Sequence, residues 1–438
     1  MASGAAAGLL LAFGRRQKAA FQEIRGRDGL AAVGLAWPLI SLAGALPYWF
    51  SGLSPGFVDA LFESVSGFST TGATLLTGLD QTAPVFLLWR SLSHWLGGMG
   101  VIVLMLAVLP FFGLGGLHLF KNDSPLGEVR LKPRISQTAM ALWLIYLTLT
   151  LSLLLMVRAG GLSWFDSLCH AFSAIATGGF SNYDLSIGHY QHPYLDVAFT
   201  LFMFLSSLNF ALYYRLVRGD WRSLVQDPET RFFTLIIVVF SLFIAAILIF
   251  SAHYPAPLTA LRHAAFQVVS VTSTAGLSSS DTAQWPRLAQ GLLLALFLLG
   301  GCSGSTSGGV KCVRWILIFK GIHQALRQHI HPRAVFSLRL GNRPVPEQLM
   351  YAVWSFTALY LVVLAAAAMA LAALGLDLAT SFFASAAALG NVGLGLGLTD
   401  GLTAFPAAAK AILILEMMLG RLEFFTILIL FLPEFWER

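Results

Sequence analysis

Thr70-Thr71-Gly72-Ala73 would read as a tight turn if it stood alone. It has three counterparts: Thr177-Gly178-Gly179-Phe180, Thr274-Ala275-Gly276-Leu277 and Asn391-Val392-Gly393-Leu394. Each follows a short amphipathic stretch and lies between two long apolar runs. Glycine reaches backbone conformations closed to other residues and lets several backbones crowd one axis. Four such segments around an axis would aim carbonyl oxygens at a dehydrated cation. Four unrelated turns would have no reason to share a register. The pattern predicts a membrane pore for cations, with potassium the expected ion.

Superposing the four glycines extends the repeat. Six residues before them stand Ser66, Ser173, Ser270 and Ala387, and ten before stand Phe62, Cys169, Phe266 and Phe383. The glycines are 107, 97 and 117 residues apart, so each unit takes about a quarter of the 438-residue chain. Such periods are too long for solenoid repeats. The chain is 57% hydrophobic and 11% charged, whereas ordinary soluble domains carry roughly 25% charged residues. A soluble core could not bury that much apolar surface, so the bilayer is the expected solvent. Apolar runs suited to spans of about 20 residues occur near 30–50, 84–112, 135–157, 194–214, 232–250, 286–319, 349–374 and 407–432. The short helices expected near 58–69, 164–176, 258–273 and 377–390 cannot span. They would re-enter from outside, buried in protein, with their partially negative C-terminal ends toward the axis. The expected fold is an all-α membrane protein of four tandem helix–pore-loop–helix repeats around a central pore, with eight spanning and four re-entrant helices.

The net charge of +6 does not point to nucleic acid, because of where the cations fall. Residues 14–31 hold Arg15, Arg16, Lys18, Arg25 and Arg27, and 113–135 hold Lys121, Arg130, Lys132 and Arg134. Residues 215–231 hold Arg215, Arg218, Arg222 and Arg231, and 311–345 hold seven more from Lys311 onward. The loops at 51–83, 159–193 and 376–405 hold none. By the positive-inside rule both termini are cytoplasmic and the T-x-G segments lie near the outer side. All four repeats then point the same way, with their axis along the membrane normal. The expected divisions are a cytoplasmic segment 1–29 and pore repeats at 30–134, 135–230, 231–345 and 346–438. The apolar run Ala5–Phe13 is short and precedes the basic residues, so it is not read as a secretory signal; it would be the remnant of an extra helix.

The filter candidates are Thr70, Thr71 and Gly72; Thr177, Gly178 and Gly179; Thr274, Ala275 and Gly276; and Asn391, Val392 and Gly393. Potassium at their backbone carbonyls is the only cofactor expected, with no organic cofactor and no enzyme chemistry. Each filter is followed within eight residues by an aspartate: Asp80, Asp184, Asp281 and Asp400. These carboxylates would form an outer vestibule that concentrates cations; the alternative is that aspartate is a common turn residue. The sixth apolar run is interrupted by Gly300, Gly301, Cys302, Ser303, Gly304, Ser305, Thr306, Ser307, Gly308, Gly309 and, after Val310, Lys311. Five glycines and four hydroxyl residues make a poor helix, and a phosphate loop is excluded because no Lys-Ser/Thr pair stands at the required spacing. The segment reads as a mobile loop beneath the filter, or else as a small-residue packing motif. Arg421 lies mid-membrane in the last run, where an arginine faces protein or water. It would set a barrier or pair with a gate group, the alternative being an ion pair with Glu416 or Glu423.

Glu63, His94, His170 and Asn209 are further polar residues within the membrane. No metal-ligand partner is spaced with either histidine, so both are expected to be packing residues. Cys169, Cys302 and Cys312 show no zinc or redox spacing and are expected to be buried thiols without a disulfide.

The motifs FSTTGAT at 68–74, HWLGGMG at 94–100, IATGGFS at 175–181, TAGL at 274–277, GGCSGSTSGG at 300–309, NVGLGLG at 391–397 and MLGRLE at 418–423 carry a specific likeness. From about residue 30 to the end, the chain resembles the Trk/Ktr/HKT superfamily of potassium transporters, most nearly its bacterial TrkH/TrkG branch. The resemblance implies a homodimer with one pore per subunit. It also implies filter glycines at Gly72, Gly179, Gly276 and Gly393, with glycine rather than serine at position 72 favouring potassium. It implies a gate made of the 300–311 loop with Arg421, and a cytoplasmic nucleotide-binding TrkA-like regulator, in a bacterial inner membrane. Two departures stand out: only the 5–13 run occupies the place of the extra N-terminal helices usual in TrkH relatives, and Asn391 replaces threonine in the fourth filter.

Uptake through such a pore needs no other energy source. A potential of 100 mV is worth about 2.3 kcal/mol per charge. A proton- or sodium-coupled symporter on the same scaffold would need a titrating or second-ion site, for which Glu63 and His94 are the only hints. An alternating-access carrier for an organic solute would fit parallel repeats poorly.

Overall fold

The computed structural model describes residues 26–108, 132–334, 336–341, 343–393 and 402–436. Four copies of one unit follow each other along the chain. The outer helices are α1 (Gly26–Phe50), α4 (Lys132–Ala159), α9 (Pro228–Phe250) and α13 (Glu347–Ala373). The pore helices are α2 (Phe57–Phe68), α5 (Trp164–Ile175), α10 (Pro257–Thr272) and α14 (Leu378–Gly390). Inner helix α3 (Pro84–Val108) closes the first unit; α6 (Pro193–Ser206) and α7 (Phe210–Val217) form the second. The third consists of α11 (Arg287–Phe297) and α12 (Cys312–Ile330), and the fourth of α15 (Ala407–Arg421) and the short α16 (Phe424–Leu428). Outside this plan lie α8 (Trp221–Gln226), α17 (Pro433–Trp436) and a hairpin of β1 (Arg339–Leu340) with β2 (Arg343–Pro344).

Residues 138–159, 228–250 and 347–373 are long and apolar enough to cross a membrane unbroken, and α6 with α7 would make a fourth span bent by 93°. Their outward faces carry side chains such as Leu235, Phe243, Phe250, Val362 and Met369, all more than half exposed. Water would not tolerate such faces, but lipid does.

Each outer helix packs on the pore helix of its own unit, α1 on α2, α4 on α5, α9 on α10 and α13 on α14. Each inner helix packs on the pore helix of the next unit: α3 on α5, α6 on α10, α11 on α14 and α15 back on α2. That last contact closes the ring. Apolar clusters fill the seams, for example Phe62, Val65 and Leu75 against Leu371, Leu413 and Met417 between the last unit and the first.

Two inner runs expected to be continuous are broken. The 194–214 run is interrupted between Ser206 and Phe210, and the 407–432 run stops at Arg421, with Glu423 at φ 55°. The first break is stabilised by groups from the 298–311 loop. The Ser207 carbonyl accepts the Cys302 amide at 2.9 Å, and the Phe210 amide donates to the Gly304 carbonyl at 3.1 Å. A continuous helix would use both groups internally.

Candidate functional site

The pore helices end in one way, four times. The amides of Thr71, Gly178, Ala275 and Val392 donate to the carbonyls of Ser66, Ser173, Ser270 and Ala387 at 2.9–3.0 Å. The preceding amides, of Thr70, Thr177, Thr274 and Asn391, donate to Gly67, Ala174, Val271 and Ala388 at 3.0–3.2 Å. This pair of bonds is the Schellman cap, whose penultimate residue must be left-handed. Accordingly Thr70, Thr177, Thr274 and Asn391 have φ of 52°, 54°, 59° and 51°. Threonine is strained there, whereas asparagine tolerates the conformation. Asn391 is therefore the least strained of the four. Its Nδ2 also donates to Thr71 Oγ1 at 3.0 Å and to the Met417 carbonyl at 2.9 Å, joining the last unit to the first.

Two residues on, the chain turns left-handed again. Gly72, Gly179, Gly276 and Gly393 have φ of 82°, 89°, 67° and 75°. A Cβ on Gly72 would overlap the Gly178 carbonyl oxygen, one on Gly179 that of Ala275, and one on Gly276 that of Val392. A Cβ on Gly393 would come within 2.5 Å of the Thr71 carbonyl oxygen. Each glycine thus meets the carbonyl of the residue before the next glycine, and the series closes on itself in chain order. At each position a side chain would be strained by the sign of φ and would have to displace the neighbouring carbonyl.

The 298–311 loop sits against the ends of three pore helices. Thr306 Oγ1 donates to the carbonyls of Ile175 at 3.1 Å and Ser206 at 3.2 Å, and the Gly308 amide donates to Thr274 Oγ1 at 2.7 Å. A Cβ on Gly308 would meet the Gly390 carbonyl oxygen at 2.6 Å. Within the loop Gly300 bridges Gly309, and Lys311 Nζ donates to the Ser307 carbonyl at 2.6 Å. Ser305, Thr306 and Ser307 are fully buried. Arg421 Nη1 donates to the Thr306 carbonyl at 2.8 Å, while Nε and Nη2 have no acceptor among the described residues. Neither carboxylate considered as an ion-pair partner for Arg421 is one. Glu423 pairs with Arg314 at 2.8 Å, and Glu416 accepts from Ser385 at 2.5 Å. From the other side, Glu229 Oε2 accepts the Ser303 amide at 2.5 Å.

A family model described as TrkH, cation transport protein, matches residues 5–438. The chain belongs to the TrkH family. The Trk system potassium uptake protein TrkH of Salmonella typhimurium is 41% identical over 432 residues, covering 97% of this chain and 88% of that protein. The Trk system potassium uptake protein TrkG of Escherichia coli K12 is 36% identical over 424 residues, covering 95% and 86%. The crystal structure of the potassium transporter TrkH from Vibrio parahaemolyticus superposes with a TM-score of 0.88 at 37% identity, covering 95% of this chain and 87% of that one. As a TrkH-family member the chain is a multi-pass membrane protein.

Outside the glycine ring this TrkH-family chain has a cavity of about 1000 Å³ lined by Gly72, Gly179 and Gly276 among others. Asp184 and Asp281 line it; Asp80 is exposed but does not, and Asp400 lies outside the described residues. Asp184 is not a bare charge: its oxygens accept the amides of Gly78 at 2.9 Å and Leu79 at 3.2 Å. Asp281 caps the turn that follows it, accepting from Ala283 at 3.0 Å. Cations share the same wall. Arg90 lines it, as does Arg262, whose Nε lies 3.0 Å from Asp196.

Arg90 escaped the sequence reading. It is buried, with Nε 3.6 Å from Glu63, Nη1 donating to the Ser181 carbonyl at 3.2 Å and Nη2 to Thr74 Oγ1 at 3.0 Å. The signal available for it was an arginine inside an apolar run, the same signal that singled out Arg421. His94 stacks on Phe180 with ring centroids 4.0 Å apart and lies 3.2 Å from Ser173 Oγ. No cluster of three or more metal-ligating side chains occurs among the described residues. Cys169, Cys302 and Cys312 are free, buried thiols.

Proposed function

We propose that this chain takes up potassium across a bacterial inner membrane, with residues 70–72, 177–179, 274–276 and 391–393 as the filter and the 300–311 loop with Arg421 as its gate. One observation carries the reading. Four left-handed glycines, each against a carbonyl of its neighbour, make a closed ring in which backbone oxygens replace the hydration shell of a bare cation. The names of the relatives support potassium as the ion. The gate reading rests on Arg421 and Thr306. A desolvated guanidinium short of acceptors is costly, and one held against a glycine-rich loop beneath the filter opposes cation passage until the loop moves.

The remaining parts of the reading follow from the sequence. The cytoplasmic segment and pore repeats divide at 29/30, 134/135, 230/231 and 345/346, and both termini face the cytoplasm. The chain works as a homodimer in the lipid bilayer, controlled by a TrkA-like nucleotide-binding subunit that docks on the basic cytoplasmic loops. Coupled symport remains the second reading, but its two hints are engaged elsewhere: Glu63 with Arg90, and His94 with Phe180 and Ser173.

The test is flux into proteoliposomes under a potassium-diffusion potential with the proton gradient collapsed. The proposal expects potassium flux to persist and Gly72→Ser to lose selectivity over sodium. Flux that appears only with a proton or sodium gradient would replace the pore by the symporter.

A further inference from the structure

After Gly72, Gly179 and Gly276 the chain runs back along its own pore helix, with Thr74, Ser181 and Ser278 against that helix's side chains. Its polar groups must be held by side chains. The residue nine before the filter glycine does this in three units, with a different side chain each time. In the first unit Glu63 accepts from Thr74 Oγ1 at 2.7 Å and from the Leu75 amide at 2.5 Å. In the second, His170 Nε2 lies 3.0 Å from Ser181 Oγ, with Nδ1 2.8 Å from the Asp166 carbonyl. In the third, Gln267 Nε2 donates to Ser278 Oγ at 2.8 Å and to the Ser280 carbonyl at 3.3 Å. Thr74, Ser181 and Ser278 all stand two residues after their glycine, so the register is the same in all three. Glu63, His170 and Gln267 are all fully buried.

A second rung lies beneath. Ser66 Oγ donates to the Ala73 carbonyl at 2.6 Å, and Ser270 Oγ to the Leu277 carbonyl at 2.5 Å. Arg90 then ties the first two units together through Thr74 Oγ1 and the Ser181 carbonyl. The fourth unit has Ala384 and Ala387 at the two positions, and a methyl group neither donates nor accepts.

Three side chains of unlike charge and shape reach the same target. What they share is the hydrogen bond, not a titration or a charge. That target lies at most about 7 Å of chain from the filter glycine. A site that distinguishes cations by carbonyl geometry needs its atoms held to about 0.5 Å. We propose that Glu63, His170 and Gln267 are positioning residues that fix the outer mouth of the filter in three quarters, a hydrogen bond that Ala384 and Ala387 cannot supply in the fourth, and that this bracing sets the preference for potassium over sodium. The inference rests on the filter reading of the glycine ring.

The experiment measures the potassium-to-sodium flux ratio of the purified full-length protein in proteoliposomes. Gln267→Leu removes the brace at similar volume, and Ser278→Ala removes the partner hydroxyl together with its own bond to the Ser280 carbonyl at 2.7 Å. Each is expected to lower the ratio roughly two- to tenfold, the range of one net hydrogen bond. Because the two share one bond, the double variant should lose less than the sum of the two single losses. Gln267→His transplants the second unit's pair onto the third and is expected to recover the ratio. If Gln267→Leu does not reach the membrane, Ser278→Ala decides. Unchanged ratios in the folded variants, or no recovery with histidine, would overturn the brace. Gly72→Ser is measured alongside. If it shifts the ratio and the brace variants do not, only the brace falls; if it too leaves the ratio unchanged, the filter reading falls with it.

Discussion

Arg421 and Thr306 are joined by one charge-assisted hydrogen bond, Nη1 to carbonyl oxygen at 2.8 Å, which holds the end of the last inner helix to the middle of the 298–311 loop. Bonds to charged groups contribute about 1.5–3 kcal/mol. Arg421→Met keeps most of the bulk and loses the bond. Basal potassium flux in proteoliposomes without a regulator should rise about tenfold or more, since each 1.4 kcal/mol is a factor of ten. Unchanged flux would make Arg421 a packing residue.

Glu229 holds the same loop from the outer helix of the third unit, through the Ser303 amide. Glu229→Gln keeps the shape and exchanges a charge-assisted bond for a neutral one, roughly half as strong. Basal flux should rise about two- to fivefold, less than in Arg421→Met. A fall would mean that Glu229 favours the open loop.

Gly276→Ala places a methyl group on the Val392 carbonyl oxygen at a φ of 67°. The ring cannot close around it. Folded protein should reach the membrane with potassium flux lowered at least about tenfold, the factor that 1.4 kcal/mol represents. Parent-like flux would show that the glycine ring is not on the conduction path.

Asn391→Ala removes two buried bonds, to Thr71 and Met417, and puts alanine at a φ of 51°. The cost should be about 1–3 kcal/mol, seen as a lower thermal midpoint in detergent. An unchanged midpoint would remove Asn391 from the account of how the first and last units are joined.

Asp184 faces the outer cavity while holding the Gly78 and Leu79 amides. Asp184→Asn should reduce influx about twofold at low ionic strength, and the difference should vanish at 1 M salt, where the Debye length is about 3 Å. A defect independent of salt would assign Asp184 to loop structure alone.

The glycine ring is legible in the sequence because four glycines share a register that no side-chain chemistry can substitute for, and the broken third inner helix because Gly300–Gly309 is too rich in glycine to form one. The pairs of Glu63 with Thr74, His170 with Ser181 and Gln267 with Ser278 were hidden by their own diversity. Superposition places them in one register, but no single residue type recurs at the pore-helix position. The break at Ser207–Asn209 was masked by Leu208 and Phe210, which keep the run apolar. It becomes intelligible only once the loop residues Cys302 and Gly304 are seen to use the freed backbone groups. The sequence presents Asp184 as a charge facing ions; that it also caps a loop in another unit depends on a contact 106 positions away in sequence.

Anomalous scattering from crystals grown with thallium(I), a potassium substitute, tests the central claim most directly. The account predicts a peak on the axis of the ring, coordinated by the backbone carbonyls of Thr71, Gly178, Ala275 and Val392. Bound thallium elsewhere in the membrane region, with none inside that ring, would contradict it.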